Sequence, residues 1–116
     1  MTYARILIAS TALIASSSLV FAHAQLESAS PSVGSTVRAA PHQVSLSFTQ
    51  KLERSFSSIE VGGPGGRVDQ GGATVSGARM SVGLKALSPG TYHVHWHALS
   101  VDTHKTEGSF SFTVGK

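Results

Sequence analysis

Apolar and polar residues alternate with period two along most of this chain, and that leaves little choice of secondary structure. Val44-Ser45-Leu46-Ser47-Phe48-Thr49 sets large apolar side chains against hydroxyls, the pattern of a strand with one buried face. Ile59-Glu60-Val61 and Met80-Ser81-Val82-Gly83-Leu84 repeat it briefly. Tyr92-His93-Val94-His95-Trp96-His97-Ala98 alternates at greater length, and Phe110-Ser111-Phe112-Thr113-Val114 closes the chain in the same way. Between these runs lie breakers: Pro31-Ser32-Val33-Gly34, Gly62-Gly63-Pro64-Gly65-Gly66, Gly71-Gly72 and Ser88-Pro89-Gly90. No helical stripe of useful length appears. Short strands at this spacing predict an all-β antiparallel sandwich or small barrel.

Parity assigns faces. Trp96 shares the phase of Tyr92 and Val94, so it belongs to the core, while His93, His95 and His97 point the other way. Tyr92 follows the turn Leu87-Ser88-Pro89-Gly90-Thr91. That position suits a tyrosine corner, which favours the sandwich, and equally an ordinary core tyrosine. The glycines from Gly62 to Gly72 read as a hairpin or loop. No helix with an exposed N-terminus follows them, so they are not a phosphate cradle.

The first residues are of a different kind. Arg5 precedes an uncharged apolar and small stretch from Ile6 to Val20, the make-up of a short secretory leader. A membrane span needs ~20 apolar residues, more than are present here. Cleavage after Val20-Phe21-Ala22 leaves His23 first; cleavage after Ala22-His23-Ala24 leaves Gln25 first, and both satisfy the small-residue rule. With residues 1–22 as leader, residues 23–116 suffice for one small domain. The chain has no cysteine, which excludes disulfides and thiolate ligands. Its formal charge is +3, but the basic residues are scattered and form no nucleic-acid footprint.

The six histidines carry the chemistry. A chain beginning at His23 offers an α-amine and an imidazole on one residue, and Asp102 and His104 in Ser100-Val101-Asp102-Thr103-His104 add an oxygen and a nitrogen. Three nitrogens and one oxygen suit tetragonal Cu(II), and less selectively Ni(II) or Zn(II). Taken alone, Asp-x-His is a weak motif, because two polar residues in a loop are usually just solvated. His93, His95 and His97 on one strand face form a solvated surface, an auxiliary metal or proton-sensitive patch, or a source of one partner for a ligand elsewhere. His42, beside Pro41 at a strand start, reads as a surface residue. Glu27 and Glu107 lie near the proposed ligands in sequence, as acceptors for a ligating imidazole or as exposed acids.

Several blocks in fixed order resemble the CopC family of periplasmic copper-binding, copper-resistance proteins. They are His23-Ala24-Gln25-Leu26 followed by Ser30-Pro31 and Gly34, Pro41 with Val44-Ser45-Leu46-Ser47-Phe48, and Leu87 through Trp96. Ser100-Val101-Asp102-Thr103-His104 and Gly108-Ser109-Phe110-Ser111-Phe112-Thr113-Val114 complete them. The resemblance covers nearly all of residues 23–116. It implies an immunoglobulin- or cupredoxin-like Greek-key β-sandwich, cleavage after Ala22, and Cu(II) ligands at His23, Asp102 and His104. It further implies a periplasmic carrier or buffer for copper, acting as a monomer and passing the ion to an inner-membrane transporter. One departure stands out. Some members hold Cu(I) in a Met-rich segment, whereas here Met80 is the one methionine after Met1 and its alternating neighbours put it in the core. Soft thioether ligands for Cu(I) are therefore missing.

Four protein donors around copper fill its square plane, so the expectation is a binder and not an enzyme. The competing reading is a copper-dependent oxidative enzyme with an N-terminal histidine chelate, which requires an open copper position and an exposed aromatic surface. A plain structural sandwich is a third; it explains the fold but not the position of His23.

Overall fold

The computed structural model describes residues 24–116. Among these residues there is no helix, and the strands are β1 (Leu26–Ser30), β2 (Thr36–Val37), β3 (Gln43–Phe48), β4 (Ser58–Gly63), β5 (Gly66–Arg67), β6 (Asp69–Ser76), β7 (Arg79–Leu84), β8 (Gly90–Leu99) and β9 (Lys105–Val114). They form a four-stranded sheet in the order β1-β3-β7-β6 and a five-stranded sheet in the order β2-β9-β8-β4-β5. Consecutive strands repeatedly change sheet, the Greek-key habit of β-sandwiches. The expected antiparallel sandwich is the observed fold. One pair departs from it: β2 runs parallel to β9, with Thr36 opposite Thr113 and Val37 opposite Val114.

Each alternating run becomes a strand with one buried face. In β3, Val44, Leu46 and Phe48 are buried. In β8, Tyr92, Val94, Trp96 and Ala98 are buried, with His93 and His97 exposed and His95 half-buried between them. Both inner faces meet in one cluster that includes Leu46, Met80, Val61, Val94 and Phe112. Met80 has no exposed surface, as its parity required. Phe48 and Trp96 meet edge to face across the sheets at 5.0 Å, the geometry that aromatic quadrupoles prefer.

Tyr92 makes a tyrosine corner. Its hydroxyl donates to the Ser88 carbonyl at 2.7 Å, four residues back along the chain, while its ring stacks on Phe112 at 5.6 Å. Trp96 needs a neighbour without a side chain. Gly108 lies opposite it on β9, and a Cβ there would stand 2.6 Å from the indole ring.

β1, β2, β5 and β6 lack a clean alternation. β1 is Leu-Glu-Ser-Ala-Ser with no fully buried residue, because it lies at a sheet edge and pairs only with β3. β6 contains Gly71 and Gly72, and its pairing with β7 shifts register between Gln70 and Thr74. The glycine-rich stretch is thus a hairpin, with Gly63 opposite Gly66, leading into an irregular edge strand.

Candidate metal centre

β8 and β9 pair over their full length, from Gly90 opposite Val114 to Leu99 opposite Lys105. A three-residue loop, Val101-Asp102-Thr103, joins them. Thr103 N–H donates to the Ser100 carbonyl at 2.8 Å, and Ser100 N–H donates to the His104 carbonyl at 3.0 Å. Thr103 takes a left-handed conformation, φ 71°, as the last residue of such a loop does. A β-branched residue there is strained, and its hydroxyl donates to the Asp102 carbonyl at 2.5 Å.

This loop brings Asp102 and His104 together. Asp102 Oδ1 lies 3.4 Å from His104 Nδ1, and both side chains are a little under half exposed. Neighbouring donors on one ion with bonds of ~2.0 Å stand about 2.8–3.4 Å apart, so this spacing fits a shared ion. Behind them sits Ser100, buried with no exposed surface. Its hydroxyl donates to Asp102 Oδ1 and accepts from His104 N–H at 3.3 Å. That Ser100 hydroxyl, against a partial opposing effect of burial and with help from His104, holds the Asp102 carboxyl below its ordinary range. Asp102 therefore stays anionic wherever an imidazole is neutral enough to bind metal.

The start of the described chain is tied to the same edge. Ala24 is buried, and its carbonyl accepts from Thr106 Oγ1 at 2.8 Å, two residues beyond His104. Gln25 N–H donates to Thr49 Oγ1 at 2.9 Å, and Thr49 N–H donates back to the Gln25 carbonyl. The segment that follows runs beside the loop, with Val101 N–H on the Lys51 carbonyl and Glu53 N–H on the Leu99 carbonyl. β1's beginning and the Ser100–His104 loop are thereby fixed as neighbours. His23, the third expected ligand, lies outside the described residues, as do the leader and its cleavage site.

The other expected residues fall as follows. His42 and Glu27 are exposed. Glu107 faces β8, where its Oε1 lies 3.2 Å from His95 Nε2 and 3.4 Å from His97 Nδ1. Ser100 and Thr106 were not singled out from the sequence. The signal for Ser100 was its place before Asp102, where a buried hydroxyl can hold a loop carboxylate; Thr106 carried none.

Fold and loop together define a class: a small Greek-key sandwich presenting a closely spaced Asp-x-His pair beside the entrance of its first strand. The chain belongs to the CopC family, whose domain model matches residues 26–115. It is 37% identical over 121 residues to copper resistance protein C of Xanthomonas campestris pv. juglandis, covering 92% of this chain and 94% of that protein. It is 35% identical over 101 residues to copper transport protein CutJ of Bacillus subtilis, covering 83% of this chain but 19% of the larger protein. Among solved structures, CopC from Methylosinus trichosporium OB3b superposes with a TM-score of 0.74 at 33% identity, covering 80% of this chain and 94% of that one.

Proposed function

We propose that this protein binds one Cu(II) through the α-amine and imidazole of His23, the Asp102 carboxylate and the His104 imidazole, and serves as a periplasmic copper carrier or buffer. The observation that carries the reading is the ligand-spaced pair Asp102–His104 on its Ser100-braced loop, close to where Thr106 fastens Ala24. Copper in the names of the relatives agrees with a nitrogen- and oxygen-rich set, for which Cu(II) stands highest among the first-row divalent ions. The leader before His23 supports export. A relative in which the matching region is a fraction of a copper transport protein supports delivery to an inner-membrane transporter.

A carrier role fits better than oxidative catalysis. Tyr92, Trp96, Phe48 and Phe112 are all buried, and among the described residues Phe56 is the one largely exposed aromatic. That leaves no flat aromatic platform for a polymer. The test is electron paramagnetic resonance of the Cu(II)-loaded protein and its variants. Asp102→Ala and His104→Ala are each expected to lower Cu(II) affinity and change the spectrum while the thermal unfolding curve stays that of a folded sandwich. Unchanged spectra in both variants would remove the loop from the site.

A further inference from the structure

The outer face of the five-stranded sheet carries a second cluster of ligands, separate from the loop. His95, His97 and Glu107 each bring one ligand atom to a common point, with all three atoms within 4.8 Å of one another. His95 Nε2 lies 3.2 Å and His97 Nδ1 3.4 Å from the same carboxylate oxygen, Glu107 Oε1. The two imidazole rings stand 4.8 Å apart at 60°. Register explains the grouping. His97 lies directly opposite Glu107, and His95 opposite Ser109, so the acid on β9 faces two histidines placed two residues apart on β8. His93 pairs with Ser111 further along and is not a member.

The geometry points to a second site for a borderline divalent ion, Cu(II) or Zn(II), held by His95 Nε2, His97 Nδ1 and a Glu107 oxygen. Two imidazoles and one carboxylate are a donor set that binds such ions while leaving a position open for water or an exchanging ligand. His95 is already oriented for it. Without an ion, its Nε2–H donates to the Glu107 carboxylate at 3.2 Å; an ion takes the place of that proton, and Ser109 Oγ, 2.7 Å from Nδ1, then accepts the Nδ1 proton and holds the tautomer that ligates through Nε2. A tetrahedral ion with bonds of ~2.0 Å needs its donors about 3.3 Å apart. The two histidine–glutamate spacings already meet that value. The two imidazole nitrogens must close further, which side chains at 44%, 47% and 62% exposure do by small rotations. Neighbouring charges are placed compatibly: Glu60, opposite His95 on β4, faces Arg67 at 3.9 Å. Lys105 lines the cleft beside His97 and Glu107 and is a cation that opposes the ion.

This site does not depend on the His23–Asp102–His104 reading, and the experiment separates the two. Cu(II) is titrated calorimetrically into the mature protein, the His95→Ala/His97→Ala double variant and the His104→Ala variant, with Zn(II) as a second probe. The wild type is expected to take two ions, and the double variant one ion with the loop spectrum intact. His104→Ala is expected to keep the sheet ion. Ser109→Ala should weaken the sheet site by about 10–100-fold, the usual effect of losing an outer partner, and Ser109→Thr should restore it. Because the substituted side chains lie on the exposed face, unchanged thermal unfolding certifies the fold of each variant. Retention by the double variant of every ion that the wild type binds overturns the sheet site. Loss of one ion in the double variant with none lost in His104→Ala upholds the sheet site and contradicts the loop.

Discussion

Ser100 is the residue on which the loop chemistry turns. It is fully buried, yet its hydroxyl reaches both the Asp102 carboxylate and the His104 amide. Removing it as Ser100→Ala leaves the Thr103 turn bond in place but strips the carboxylate of its strongest stabilising contact. The expected result is an Asp102 pKa that rises towards the ordinary carboxylate value, read by NMR titration of its side-chain carbon. Cu(II) affinity should fall by about 10–100-fold in a competition assay, as for other partners that orient a ligand. Retained affinity with a raised pKa would separate the loop's electrostatics from its metal binding. The residue scale is also where the sequence said least. Asp102 and His104 stand out as a pair, whereas the one sign of Ser100's part is its place before Asp102; its burial depends on the fold.

Elements were legible in proportion to how deeply they are buried. β3, β7, β8 and β9 have one face in the core, so their alternation is strict and could be read directly. β1 and β6 lie at sheet edges; one face of each meets little, and the pattern dissolves into Ser, Ala and Gly. Glu107 illustrates a different limit. Alternation placed His95 and His97 on one face, but their partner across the sheet depends on loop length. Once Ser100 is known to pair with His104 through a three-residue loop, His97 must face Glu107. The β4–β6 region carries its own test. Asp69 accepts from Val61 N–H at 2.9 Å and from Arg67 at 3.1 and 2.7 Å, and chiefly the Arg67 contact, with burial opposing, holds its carboxyl below the ordinary value. A depressed folded pKa contributes stability that is complete above the unfolded value and lost as pH falls through the folded one. Denaturant unfolding at a series of pH values should therefore show stability declining below about pH 4, with a smaller decline in Asp69→Asn. Equal slopes in the two proteins would show that the Arg67–Asp69 pair contributes nothing measurable.

At the scale of the whole molecule, Asp102 and His104 lie at one edge of the sandwich, while Met80, the one methionine among the described residues, lies inside. Met80 is sealed in the core, and the chain has no cysteine; the proposed donors are amine, imidazole and carboxylate, a set that favours the divalent ion. Reduction of the copper-loaded protein with ascorbate is expected to release the metal to a Cu(I) chelator; retention against the chelator would contradict the ligand assignment. The central claim is that copper is chelated by the first residue of the mature chain together with the Asp102–His104 loop. It is tested most directly by placing one extra residue ahead of His23 and measuring Cu(II) affinity against pH, with His42→Ala as control. A free α-amine must lose a proton with a pKa of ~7.7–8 to bind. The protein beginning at His23 should thus bind more weakly as pH falls below neutral, and the extended protein should bind far more weakly at every pH, with His42→Ala unchanged. Equal affinity in the extended and native proteins would contradict the N-terminal chelate.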